Sequence, residues 1–445
     1  MRTHILCGSQ EIQVEVPDDA VVIRPNSVPA LPNPIECVQE SIDNPIGSEP
    51  LAKLAQGRRN ACVVISDITR PVPNKIILPP ILDALASAGI ERQNIIILIA
   101  TGMHRPNQGE ELESMIGADI MTRYRIENHY CLKGDDLRKI AEIDGADIEL
   151  NKYYLDADLK ILTGLIEPHM YAGYSGGRKS LLPGISSYIT MTFMHSFAMI
   201  DHPNVINCKL QGNPFHTIGE KVAELAGVDF IVNAVINRQR ELVGVFAGHH
   251  AAAHQAGCDM VSRMSIQSMS EPADLVVTSA GGYPLDATFY QVSKGLIAAA
   301  DCLRDNGSII MACECREGLG SDEYTGLVRE GRSAADFIAH CRKPENFKID
   351  QWCLQTTYQA LAKAANVYVY SPHLDAAELK AIGIFKIDDI QTAVNSLVPT
   401  HPRIAVSPEG PYAVGLVAGG RAQRIRKRPC NEQVKMLRTR IADMG

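Results

Sequence analysis

The chain has a single Trp and no apolar run approaching the roughly 18 residues that a bilayer-spanning helix requires. Its first residues, MRTHILCGSQEIQVEV, lack the apolar core of a secretory signal. Neither export nor a membrane span is therefore expected, and the cytoplasm is the expected compartment. The twelve cysteines are scattered from Cys7 to Cys430 and lack the two C-x2-C-type pairs of a zinc site; only Cys313-x-Cys315 is closely spaced. That many thiols without a secretory signal fit a reducing environment. Positive charge is not in excess either. The net charge of −8 gives a nucleic-acid or anionic-membrane partner no general electrostatic support. One basic run, Arg421 to Arg428, reads as a solvated face or a subunit contact. Internal repeats and low-complexity segments are also missing.

What remains is an ordinary globular composition, 46% hydrophobic and 21% charged over 445 residues, long enough for two or three domains. Residues 2–25 alternate apolar and polar and predict an opening hairpin. Residues 26–58 read as proline-rich loop plus one helix around Glu49 to Gln56. An α/β rhythm then starts. Ala61 to Ser66, Asn94 to Ala100 and Leu159 to Leu165 are apolar runs of buried-strand length, and Asn74 is placed as the cap of a helix running to Ala88. Phe230 to Ile236 and Leu242 to Phe246 add two strands, followed by a helix from His249 to Arg263. The polar segment 265–271 marks a boundary and hinge. A second α/β unit follows, with strands at Ala273 to Ser279, Ser308 to Cys313, Asn366 to Tyr370 and Arg403 to Ser407. The expected architecture is therefore two α/β domains with largely parallel sheets and a cleft between them. Residues 1–265 and 272–410 form the domains, and 411–445 a tail packing back on the first.

Three of these strands exit into loops rich in polar residues. Ligands of open α/β sheets sit beyond the carboxyl ends of the strands, so Asp67, Arg70, His104, His169 and Lys179 are expected around one crevice. The densest loop follows Leu165 and reads IEPHMYAGYSGGRKS. Its glycines expose backbone N–H groups of the kind that bind anions. It is not a nucleotide P-loop, because Arg178 stands where G-x-x-x-x-G-K-[ST] requires its second glycine. Lys179 and His195 lie 16 positions apart, about 24 Å along an unbroken helix, so Pro183-Gly184 must interrupt that run if both serve one ligand. His249, His250 and His254 share a helix but lack an intervening carboxylate, which favours a surface helix over a metal site. Tyr290 and Lys294, at i and i+4, share a helix face.

Taken in order, SDITRP, ATGMHRP, IEPHMYAGYSGGRKSLLPGI, MHS, GGYPLDATFYQVSKG and DQW resemble the loops of the lactate racemase family of nickel-pincer enzymes. The resemblance covers residues 60 to 355. It implies a nickel ion held by a pyridinium-derived mononucleotide, tethered covalently through Lys179 and ligated by His195. Ser175, Gly176 and Gly177 would hold the nucleotide's phosphate, and Asp67 would line the cofactor site. His104 and His169 would be the acid/base pair. Arg70 and Lys294 would pin the carboxylate of a 2-hydroxy acid, in a pocket shaped by Tyr290, Gln291 and Trp352. Two bases fit the chemistry. The C2 hydrogen of such an acid is barely acidic and departs more readily as hydride once a near-neutral base takes the hydroxyl proton. Inversion then needs a second group for the other enantiomer's hydroxyl. The resemblance also implies maturation proteins as partners. Two other readings stay open at this point: a phosphate- or nucleotide-binding protein without turnover, and a metal-dependent hydrolase using the same histidines.

Overall fold

The computed structural model describes residues 1–417; the basic run at 421–428 and most of the 411–445 tail lie outside the described residues. The chain forms two compact units. One holds Ser27–Met194 and Lys209–Met264, the other Met1–Asn26, His195–Cys208 and the described residues from Ser265 onward.

In the first unit, six strands lie in the order Leu242–Gly248, Phe230–Ile236, Leu159–Leu165, Ala61–Ser66, Ile95–Ala100, Arg125–Asn128. All neighbours are parallel except the first pair. The central strands are parallel because helices cross over both faces, and, unlike Arg125–Asn128 at the edge, they read as continuous apolar runs because both faces are buried. Val63, Ile65, Ile97, Ile99, Ile161 and Val232 form the core of one face with Ile77, Leu78, Ile81 and Leu85 of the Asn74–Ser87 helix. Chain order reverses between Ala61–Ser66 and Leu159–Leu165, so the loops leaving these two strands open onto the switch point where such sheets bind ligands.

The second unit has a six-stranded, wholly parallel sheet ordered Phe385–Ile387, Ala364–Tyr370, Leu303–Ala312, Ala273–Ser279, Ile404–Ser407, Val21–Val22. Its own reversal lies between Ala273–Ser279 and Ile404–Ser407. The opening hairpin, Arg2–Cys7 with Gln10–Glu15, forms as expected. It belongs to this unit, however, because Ile5 and Val14 enter the same core as Val277 and Ile310. Buried Asp286 fastens it, accepting from the Gly8 amide at 2.7 Å and the Glu314 amide at 3.0 Å.

Several expectations are corrected. The proline-rich 26–58 stretch contains an additional helix, Pro34–Asp43, with its proline in the first turn where no amide partner is needed. Asn74 is the first helical residue, its side chain buried and not capping. The break between the units falls between Met264 and Ser265, where the expected 265–271 boundary begins, but that segment carries a strand: Ile266–Met269 pairs in parallel with Val414–Val417 of the tail, all within the second unit. The 249–263 helix spans Ala252–Ser265 and is not a surface helix on its His254 side, since that residue is only 2% exposed.

Two buried histidines of the first unit make it acid-sensitive. Burial pushes His254 down to about 3 and His129 down to about 4, the backbone carbonyls each faces offsetting only part of that cost. With folded values below the unfolded one, both are neutral and neither weakens the fold above about pH 6.5. As pH falls toward 4, the unfolded chain takes up two protons that the folded chain refuses. Stability should drop by about 3 kcal/mol per pH unit there. Thermal melts at steps from pH 7 to 4.5 check this, and a His254→Gln variant should show a shallower decline.

Candidate active site

Three exit loops carry the polar residues of the first unit. Leu159–Leu165 and Ile95–Ala100 flank Ala61–Ser66, so the loops bearing His169 and His104 leave the same sheet edge about 10 Å apart, with the Asp67–Arg70 turn between them. Side chains join the three. His104 Nδ1 lies 2.7 Å from Asp67 Oδ2, and Thr69 Oγ1 donates to Asp67 Oδ1 at 2.8 Å. Burial alone would raise Asp67. The hydrogen bond and charge of His104, with Thr69 and Arg70, outweigh it and hold the carboxyl below its ordinary range. Arg70 Nε stands 3.9 Å from Glu167 Oε1, an ion pair too long for a hydrogen bond. The guanidinium therefore retains donors for a ligand carboxylate.

His169 sits in a tight return, Pro168–His169 pairing with Gly173–Tyr174. Its Nδ1 accepts from the Tyr171 amide at 3.2 Å and the Ala172 amide at 3.3 Å. Gly173 closes this turn at φ 77°, and a Cβ there would fall 2.2 Å from the Lys209 carbonyl oxygen. Only glycine meets both demands.

The loop from Ser175 to Ser180 is pinned from beneath. Ser175 Oγ donates to Leu165 O at 2.7 Å, and Ser180 Oγ to Thr163 O at 2.9 Å. The Ser175 amide donates to Glu167 O at 3.0 Å, and the Gly177 amide to Asn233 Oδ1 at 2.7 Å. His254 Nε2 donates to the Ser175 carbonyl at 2.9 Å. At Ser175 and Gly177 the amides thus serve the fold, and the anion cradle inferred from glycine content is not what these two positions offer. What the pinned loop does present is Lys179, partly buried on the short Gly177–Ser180 turn. Its neighbour Arg178 is buried and hydrogen-bonds His216 Nδ1; an arginine can only donate, so His216 carries its proton on Nε2, 3.2 Å from Glu220.

The remaining candidates lie in the second unit. Tyr290, Gln291 and Lys294 occupy the first turns of the Phe289–Cys302 helix, which starts after the loop leaving Ala273–Ser279. Trp352, on Gln351–Leu361, donates from Nε1 to the Tyr290 hydroxyl at 2.9 Å, and its ring centroid lies 5.0 Å from that of His195. Gln291 Oε1 is buried with no hydrogen-bond partner among the described residues, an acceptor suited to a ligand hydroxyl or amide. His195 follows the Tyr188–Met194 helix, which starts well beyond Lys179, so the run between Lys179 and His195 is indeed broken.

The residue types present fit a tethered metal cofactor. A lysine amine on a fixed turn can form an amide, and the His195 imidazole is a nitrogen donor. Among the described residues no group of three or more His, Cys, Asp or Glu gathers to hold a metal ion. Reasoning from sequence overlooked Asn233 and Glu167, and it set His254 on a surface helix, whereas the residue is buried. Asn233 left a signal: it is the one polar residue in FIVNAVI, a strand buried at every position but its last. His254 left none beyond its helix position.

Both halves of the chain match known domains. Residues 7–207 match the lactate racemase N-terminal domain and residues 268–413 the lactate racemase C-terminal domain. A lactate racemase of Thermoanaerobacterium thermosaccharolyticum is 33% identical over 91% of this chain and 96% of its own length. One from Lactiplantibacillus plantarum is 38% identical over 75% and 79%. The lactate racemase apoprotein structure from the former organism superposes with a TM-score of 0.86 at 32% identity, covering 93% of this chain and all of that one. A Thermotoga maritima protein, 17% identical with a TM-score of 0.66, shares the fold. These similarities define an isomerase of the racemase class. The chain belongs to the lactate racemase family, as its loops suggested.

Proposed function

We propose that the protein inverts C2 of a 2-hydroxy acid, with lactate the first candidate because both curated relatives bear that name. The observation that carries this reading is the junction of three exit loops at the switch point, where Asp67 holds His104 and Arg70 stands beside the His169 loop. Lys179 would tether a nickel-pincer nucleotide, and His195 would ligate its nickel. When bound, that group supplies the acceptor and donor of the C2 hydride.

The chain's own residues do the rest. Arg70 and Lys294 bind the substrate carboxylate through charge-assisted hydrogen bonds. Tyr290, held by Trp352, and Gln291 shape the substrate's side. His104 and His169 handle the hydroxyl proton for the two enantiomers. Asp67, which would line the cofactor site, also orients the His104 ring through its 2.7 Å contact. Maturation proteins that load the cofactor are the expected partners, in the cytoplasm; no helix among the described residues is long and apolar enough to cross a membrane. The reading as a phosphate-binding protein without turnover loses its main support, because two amides of the glycine loop are already paired.

The test is a panel of enantiopure 2-hydroxy acids, from lactate to sugar acids, offered to protein made with the maturation system. Loss of optical rotation with at least one member supports the reading. Protein that carries the Lys179 adduct yet inverts none of them contradicts it.

A further inference from the structure

The two histidines reach their surroundings through the same ring atom but with opposite chemistry. His104 Nδ1 faces a carboxylate oxygen at 2.7 Å. Asp67 is buried and ionised, and its other oxygen already accepts from Thr69. A carboxylate can only accept, so the proton of this contact sits on His104 Nδ1, and a neutral ring is then bare at Nε2. His169 Nδ1 faces two backbone amides, at 3.2 and 3.3 Å. Amides can only donate, so this nitrogen is bare, and the neutral ring carries its proton on Nε2. The arrangement is built in. The turn that aims both amides at Nδ1 is closed by Gly173, where the Lys209 carbonyl leaves no room for a side chain, and the His169 ring stands edge-on to Tyr171 with centroids 5.9 Å apart.

We propose that the resting protein holds its two histidines in opposite tautomers, so that at Nε2 His104 is a proton acceptor and His169 a proton donor. For its consequence this rests on the racemase reading; for its test it does not. A 2-hydroxy acid whose hydroxyl meets His104 can donate its O–H to Nε2 and pass the proton there. The resulting imidazolium keeps Nδ1–H on Asp67, whose charge balances it. The enantiomer whose hydroxyl meets His169 instead receives a hydrogen bond from Nε2–H. Its own proton gains an acceptor there only after the ring proton moves to Nδ1, and that move breaks both amide contacts. Asp67 is thus a positioning residue for His104, and the Tyr171–Ala172 backbone plays the opposing part for His169. The two enantiomers meet a resting enzyme that is prepared for one of them.

The experiment is a two-bond proton–nitrogen correlation spectrum of the full chain, labelled in its histidine rings and free of cofactor, at a pH where both rings are neutral. His104→Gln and His169→Gln assign the two signals. The expected result is a protonated Nδ1 with bare Nε2 for His104, and the reverse for His169. Finding both rings in one tautomer, or the two patterns exchanged, overturns the proposal. Asp67→Asn is the second arm and needs no further assignment: the His104 pattern should lose its Nδ1–H form while the His169 pattern stays. A His104 pattern unmoved by that change also overturns it. Because no cofactor or turnover is involved, either outcome is separate from whether the chain racemises anything.

Discussion

Lys179→Ala is expected to yield a folded protein with no cofactor adduct and no racemase activity. The fold should survive because the backbone around position 179 is held by other groups: Ser180 bonds Thr163, Gly177 bonds Asn233, and the Lys179 amide bonds Gly176 O at 3.1 Å. The Lys179 side chain is only partly buried, and a substitution that opens no core cavity changes stability by about 0.5 kcal/mol. What the variant lacks is the amine. Intact mass should therefore show the bare chain, the melting temperature should stay near the wild-type value, and inversion should fall below detection. An adduct that persists in this variant would place the tether elsewhere.

The second large effect is expected at His104. Removing a general acid–base group costs roughly 10²- to 10⁴-fold in turnover, and His104→Ala should lose kcat in that range for both enantiomers while keeping the adduct mass and its absorbance. Structural damage should be slight, since the ring is 48% exposed. One side effect is specific. Without its ring partner, Asp67 loses the largest contribution opposing burial, so its carboxyl should titrate at higher pH than in the wild type. A group whose folded value is depressed stabilises the fold above its unfolded value and loses that contribution as pH falls. The variant should therefore lose less stability on acidification through the carboxylate range than the wild type does. Wild-type turnover in His104→Ala would remove this residue from the proton path.

The strands that build both sheets were readable because a strand buried on both faces must be a continuous apolar run, and Ala61–Ser66, Leu159–Leu165 and Ala273–Ser279 fall where that rule places them. Half-buried strands were missed. Arg125–Asn128 at the sheet edge, and the Leu137–Ile143 and Ala146–Asn151 hairpin, mix charged and apolar residues as loops do. Pairings between distant segments left no local trace. Nothing near Val21 announces that it will lie beside Ala405, nor near Ile266 that it will lie beside Val414. The same holds within the candidate site. His104, His169 and Lys179 are legible as loop residues after strands, but the Asp67 contact with His104 depends on two neighbouring strands ending level with each other. Glycine content suggested an anion site, yet composition does not tell whether an amide points outward or, as at Gly177, inward to Asn233.

Inversion by the proposed route requires the C2 hydrogen to depart with its electron pair and return to the opposite face, as His104 and His169 exchange only the hydroxyl proton. Enantiopure lactate deuterated at C2, incubated in ordinary water with cofactor-loaded protein, tests this directly by mass spectrometry of the separated enantiomers. The inverted product should keep its deuterium. An inverted product carrying solvent hydrogen at C2 would mean that the hydrogen left as a proton, and would contradict hydride transfer.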